Sequence, residues 1–183
     1  TVTTGLPRLT PQEAYAKGAR GLVIGVANTG GVIGQSWVPL LLEALEAGLD
    51  LVSGLHAKLA DLPQLREAAA RTGRRLIDVR IPPASIPIAT GRKRTGKRLL
   101  TVGTDCALGK KYTALALAHA FAARRLAVDF RATGQTGILV GSDAGVAIDH
   151  VPGDFMSGAV EEMVQKMIDK GRELVFVQGQ ASL

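Results

Sequence analysis

The residues best suited to chemistry form one continuous run, Leu100-Thr101-Val102-Gly103-Thr104-Asp105-Cys106-Ala107-Leu108-Gly109-Lys110-Lys111-Tyr112-Thr113. An apolar stretch enters a glycine turn, and the turn opens a helix at Gly109-Lys110. Backbone N–H groups of such a turn, the positive end of the helix and the lysine ammonium together surround a phosphate. Gly103 through Thr113 are the candidate phosphate-contacting residues. The strict nucleotide pattern GxxxxGK[ST] asks for glycine where Thr104 stands, and Gly103 comes one residue early. It also asks for Ser or Thr where Lys111 stands, the position that holds Mg²⁺. Thr113 does not replace it, because two residues along a helix rotate a side chain by roughly 200°.

A metal in such a site usually finds a second support in an acid that ends a neighbouring apolar strand. Here Leu174-Val175-Phe176-Val177 runs into Gln178, which has no charge, and Glu173 lies at the wrong end. Both departures favour a diphosphate that is bound without being hydrolysed, although an acid from residues 133–156 could still supply a metal ligand. No metal ligand set is assigned. Cys106, in the turn, reads either as a thiolate favoured by the helix terminus or as a small residue that suits the backbone.

The elements that must position this run come in two sets. In the first, Thr10 caps a short helix with Pro11 in its first turn. Strands follow at Leu22–Ala27, Leu51-Val52 and Leu76–Val79, separated by helices over about 37–47 and 61–72. Strands joined through helices of this length need parallel crossovers, so this half is expected as a βαβαβ sheet. Its turn Asn28-Thr29-Gly30-Gly31-Val32-Ile33-Gly34 lacks GxGxxG spacing, and Ser53 stands where a ribose-binding acid belongs. That turn reads as a ligand or partner loop or as close backbone packing, with NAD a weak third reading. His56 follows the second strand, at the edge where open α/β sheets bind ligands.

Pro82, Pro83 and Pro87 and then a basic run mark a break. The expected domains are residues 1–90, a linker over 91–98, and 99–183. The second set restarts with a strand at Leu99–Val102, a helix over 110–124, a strand at Ala127–Ala132, a long stretch over 133–156, a helix over 157–170 and the strand Leu174–Val177. His150 lies in the long stretch, which suits either a catalytic or a structural residue, and His119 falls in an alanine-rich helix as a structural residue. A sheet carrying a phosphate loop normally has more strands, so a missing C-terminal part is expected.

Composition narrows the function. The 183 residues are 46% hydrophobic and 21% charged, a balance for a packed core. A single cysteine excludes a disulfide framework and fits a reducing cytoplasm. No apolar run reaches the roughly 18 residues of a membrane span. The formal net charge is +6, and residues 91–98 hold five bases and no acid, so the excess is local. With only 4% aromatics, a nucleic-acid face is not expected. The basic run reads as a solvated linker or as a clamp for a phosphorylated small molecule.

Three motifs in order then become recognisable: Gly103 to Lys110, Arg131-Ala132-Thr133-Gly134-Gln135-Thr136-Gly137-Ile138, and Asp154-Phe155-Met156-Ser157-Gly158-Ala159. With Val23 to Asn28, Ser53 to His56 and Asp78 to Arg80, they make the chain resemble the D-glutamate N-acetyltransferase family along nearly its whole length. The resemblance implies an α/β architecture, a Rossmann-like N-terminal domain followed by a P-loop domain. It implies acetyl transfer from acetyl-coenzyme A to the amine of D-glutamate or a similar amino acid. One departure stands out: the family ends this region on a pattern like Glu-Gly-Gln-Gly-Ser-Leu, and this chain has Gln178-Gly179-Gln180-Ala181-Ser182-Leu183.

That activity assigns further roles. The donor diphosphate falls to Gly103 through Lys110, with Arg92 to Arg98 helping. The protonated acceptor amine needs a general base, for which Asp149, His150 and Asp154 are candidates with His56 beyond the domain boundary. A dicarboxylate needs cationic clamps, which Arg131 and Arg80 suit. Backbone N–H groups of Thr133, Gly134, Gln135, Thr136 and Gly137 are candidates for stabilising the thioester oxyanion. The alternatives are a P-loop ligase or kinase using ATP and Mg²⁺, for which the turn also resembles the dethiobiotin synthetase type, and a non-catalytic nucleotide-binding module. A homo-oligomer is expected.

Overall fold

The structure, a computed structural model, describes residues 5–26, 28–141 and 145–180. Ala27 at the end of the first expected strand, and Ala181 to Leu183 of the terminal motif, lie outside the described residues. The chain divides into two units, Thr1–Asp78 and Val79–Leu183.

The first unit is a three-stranded parallel sheet, β1 (Gly21–Ile24), β2 (Asp50–Ser53) and β3 (Leu76–Asp78), in that spatial order. Three helices accompany it: α1 (Pro11–Ala16), α2 (Val38–Glu46) and α3 (Pro63–Thr72). Thr10 and Glu13 form a full capping box at the start of α1, a device that stabilises a helix by about 1 kcal/mol. The core gathers Leu41, Ala44 and Leu45 of α2 with Leu65, Ala68 and Ala69 of α3 around Leu51 of β2. The turn over 28–37 contains two short 3₁₀ turns, and the carbonyl of Gly31 accepts the N–H groups of His56 and Ala57 at 2.9 and 3.0 Å. A Cβ at Gly31 would lie 2.9 Å from the His56 nitrogen, so the glycine lets two backbones touch.

The second unit is another parallel sheet, in the order β4 (Lys97–Leu100), β6 (Leu174–Val177), β5 (Val128–Arg131). Its helices are α4 (Lys110–Ala123), α5 (Gln135–Gly141) and α6 (Gly153–Asp169). Strand alternation sends Phe176 toward Ala114, Leu115 and Ala118 of α4, while Val175 and Val177 pack on Met163, Val164 and Met167 of α6. The central strand is thus covered on both faces, as a continuous apolar run requires. Among the described residues β4 and β5 are the edge strands, and all four residues of β4 are exposed. The fold class is therefore α/β with two parallel sheets, as the alternation of elements predicts. Among the described residues no helix is long and apolar enough to cross a membrane.

Arg92, Lys93, Lys97 and Arg98 of the basic run are exposed, while Arg94 and the residues before it dock on α6. Pro87 passes so close to α6 that a Cβ at Gly158 would collide with its carbonyl oxygen. Three residues on, Glu161 accepts the backbone N–H and the hydroxyl of Thr90, both at 2.5 Å, and pairs with Arg94. One turn further, Gln165 accepts the Arg94 Nε–H at 2.7 Å. Gly158, Glu161 and Gln165 share one helix face, so they dock residues 87–94 along α6.

Candidate functional site

Residues 101–109 leave the carboxyl end of β4 as an irregular turn and enter α4 through Gly109, whose φ of +92° needs glycine. The first N–H groups of a helix have no partner within it, so the start of α4 presents donors beside the turn. Thr104, Asp105, Cys106, Ala107 and Leu108 are exposed, whereas Lys110 is only 7% exposed. The Lys110 stem passes Gly103 and Gly179, where added Cβ atoms would lie 3.5 and 3.6 Å from its Cδ. Its ammonium donates to the carbonyl of Asp105 at 2.5 Å. The Asp105 carboxylate accepts the Cys106 N–H at 2.6 Å. The loop therefore brings a buried cation and a helix start to one place. Lys111 lays its ammonium over the Tyr112 ring, 4.3 Å from the centroid, and the Thr113 hydroxyl donates to the Gly109 carbonyl at 3.2 Å.

The ends of β5 and β6 lie beside this loop, joined by side-chain bonds. The Thr133 hydroxyl donates to the Gln178 carbonyl at 2.6 Å, Gly179 N–H donates to the Thr101 hydroxyl at 3.3 Å, and Gln180 Nε2 donates to the Thr133 carbonyl at 2.9 Å. They frame a cavity of about 350 Å³ lined by Thr101, Gly103, Thr133, Ile148 and Gln178 among others. Gln178, read from the sequence as a lost acid, and Gln180, given no role there, gain weight here. Their position directly after an apolar strand was the available signal.

Asp149 and His150 reach this region through the segment 145–148, which runs beside the end of β5: Val146 and Ile148 N–H groups donate to the carbonyls of Ala132 and Thr133. Asp149 pairs with Arg80, whose side chain is buried. His150 is half-buried, and an oxygen of Asp149 and a nitrogen of His150 approach within 4.8 Å. Asp154 lies in the first turn of α6 and is exposed.

Two expectations are corrected. Arg131 is not an open clamp: it is 0% exposed and donates to Asp129 at 2.8 Å and to the Met167 sulfur beneath α6. Its alternation with Phe130 turns it to the α6 face, where the helix covers it. Gln135, Thr136 and Gly137 form the first turn of α5, where N–H groups have no partner within the helix, and Gly137 is buried against Gln178. Arg80 is likewise committed to Asp149. His56 belongs to the first unit and is exposed, in the loop after β2.

Five carboxyls among the described residues have shifted acidities, Glu13, Glu46, Asp50, Asp78 and Glu161, and the last two bear on the second half of the chain or its border. Burial pushes Asp78, at the end of β3, above the usual carboxylate range, opposed by the Leu59 N–H that it accepts. The Thr90 hydroxyl, with the Thr90 N–H and Arg94, holds Glu161 below that range, against the opposing effect of burial.

Known proteins were compared once this geometry was in hand. Residues 1–82 match the family described as domain of unknown function DUF1611_N, a Rossmann-like domain, and residues 87–183 match the DUF1611_C P-loop domain. A protein named D-glutamate N-acetyltransferase from Tritonibacter scottomollicae is 52% identical over 98% of this chain and 53% of its own length. One of the same name from Pseudoalteromonas sp. is 45% identical over 100% of this chain and 54% of its own. The crystal structure of a DUF1611 family protein from Anabaena variabilis ATCC 29413 matches with a TM-score of 0.84 and 41% identity, over 95% of this chain and 50% of that one. The chain spans about half the length of each of these relatives.

Proposed function

This chain belongs to the DUF1611 family, with its Rossmann-like and P-loop domains, and from that premise we propose that it works as an N-acetyltransferase, moving an acetyl group from acetyl-coenzyme A to the amine of D-glutamate or a similar amino acid. The observation that carries this reading is the phosphate loop: Lys110 and the start of α4 are built to hold a diphosphate, while Lys111 and Gln178 occupy the two positions that would otherwise hold a metal. Binding a diphosphate asks only for donors and positive charge, whereas hydrolysing one asks for more.

In this reading the loop anchors the donor, with the bases of 92–98 adding positive field. His150 is the base: as the amine attacks the thioester carbonyl, the N–C bond forms, the C–S bond breaks, the thiolate leaves and the amine proton passes to the imidazole. Asp149, held by Arg80, orients His150, and Asp154 is the second candidate for the proton.

The test is a mass assay for acetylated product from D-glutamate and L-glutamate, run with titrations of acetyl-coenzyme A and of ATP with and without Mg²⁺. An acetylated D-product with Mg²⁺-independent donor binding supports the proposal. Mg²⁺-dependent ATP binding without affinity for coenzyme A overturns it in favour of a ligase or kinase.

A further inference from the structure

A basic segment lying in water is ordinary surface, but the docking of residues 87–94 on α6 gathers these bases at one concave place. A cavity of about 740 Å³ is lined by Arg92, Lys93, Arg94 and Arg98 and, from α6, by Val160 and Glu161 among others. Glu161 is the one acid in the lining, and it is taken: it pairs with Arg94 and accepts the N–H and the hydroxyl of Thr90. Arg98 is held differently. Its guanidinium donates to the carbonyls of Thr95 and Arg94 at 3.0 and 3.3 Å, which fixes the fork without cancelling its charge. Arg92 and Lys93 are exposed, and among the described residues neither pairs with a carboxylate. Arg92, Lys93 and Arg98 therefore converge on this cavity with no acid of their own.

The cavity also leads somewhere. Arg98 and Leu100 of β4 lie opposite Val175 and Val177 of β6, which pack on α6, so strand alternation turns both toward the α6 face. They stand two residues apart, roughly 7 Å. Leu100 lines the smaller cavity beside Gly103, and Val160 lines both cavities. One face of the sheet thus carries a path from the phosphate loop to the bases. A phosphomonoester holds about −1.5 to −2 charges at neutral pH and takes arginine and lysine donors from several directions, which matches three bases better than a lone carboxylate would. The volume falls within the roughly 300–1,000 Å³ of small-molecule pockets, so the concavity suits a nucleotide rather than a nucleic-acid strand. Resting on the acyl-donor reading above, the geometry points to this groove as the seat of a second donor phosphate, the monoester on the ribose of coenzyme A, while the loop of Lys110 keeps the diphosphate. Arg92, Lys93 and Arg98 bind the monoester, and Arg94, engaged by Glu161, keeps them in place.

Titration calorimetry at fixed salt with two probes tests this: coenzyme A, and dephospho-coenzyme A, which lacks only the ribose monoester. The unaltered protein is expected to bind coenzyme A at least about tenfold more tightly, the scale of one or two charge-assisted hydrogen bonds. The double variant Arg92→Gln with Lys93→Gln leaves the Arg94–Glu161 pair intact. It is expected to lose about tenfold on coenzyme A and less than about twofold on the dephospho form, with an unchanged melting temperature. Lys97→Gln removes a like charge from the residue before Arg98, whose side chain alternates to the other face of β4, and is expected to leave the preference for coenzyme A untouched. Equal affinity of the unaltered protein for both probes overturns the second phosphate site while leaving the donor reading standing. So does a double variant that keeps the preference or weakens both probes equally, and so does an equally selective loss with Lys97→Gln. Binding of neither probe overturns the donor reading together with the site.

Discussion

Asp105 accepts the N–H of Cys106 at 2.6 Å inside the same loop whose amides are arranged for a phosphate. The carboxylate thus takes a donor that an anionic ligand would compete for, and it adds a negative charge at the mouth. Asp105→Ala is expected to tighten coenzyme A or inorganic pyrophosphate by roughly three- to tenfold, read by calorimetry at fixed salt. Unchanged or weaker binding would show that this carboxylate helps shape the loop more than it competes.

Lys110 makes the opposite contribution. Its buried ammonium already bridges toward the Asp105 carbonyl, so a phosphate meets a cation that is in place. Lys110→Met should weaken diphosphate binding by about 2–3 kcal/mol, or roughly 30- to 150-fold in Kd, with little change in fold by circular dichroism.

Much of this was legible beforehand, and the reason is locality. A strand, a glycine turn and a Gly-Lys helix start are specified by adjacent residues, so Gly103 to Lys110 could be read directly. Arg131 could not. A residue at the end of a strand can face solvent or a covering helix, and only its register with Val177 of β6 sets it under α6. The docking of 87–94 was hidden for a similar reason: it depends on Gly158, which lies far along the chain. The packing of Gln178 against Gly137 likewise joins residues far apart in the chain.

Gly158→Ala places a Cβ against the Pro87 carbonyl, and the backbone must yield on one side. The expected cost is on the order of 1–3 kcal/mol. Hydrogen exchange should locate the disturbance in residues 87–94 and the adjoining turns of α6. A variant as stable as the parent would mean that this contact is readily relaxed.

The same strap has a pH signature. Because Thr90 and Arg94 depress the Glu161 pKa in the folded state, the stabilisation is complete at neutral pH and is lost as pH falls through that lowered value. Protection of the amides of residues 87–94, relative to their intrinsic exchange at each pH, should fall on acidification below the usual carboxylate range. Glu161→Gln should remove most of that dependence and leave exchange faster at neutral pH.

Asp78 predicts the reverse slope. Its folded pKa is raised, so protonation favours the folded state, and that contribution is lost as pH rises through the raised value. Asp78→Asn keeps an oxygen for the Leu59 N–H. The melting temperature of this variant should gain on the parent as pH climbs from the acid range toward neutrality, then level off. A constant difference across pH would remove Asp78 from the balance.

The exposed margin at β4 has a colloidal consequence. Leu99 and Leu100 lie open on this edge strand, with Val102 exposed just beyond it, the kind of border along which chains stick to one another. Lys97 and Arg98 open that same strand, and Arg94 before them lies along α6. The positive run that first draws attention as a place for phosphates therefore also acts as a gatekeeper.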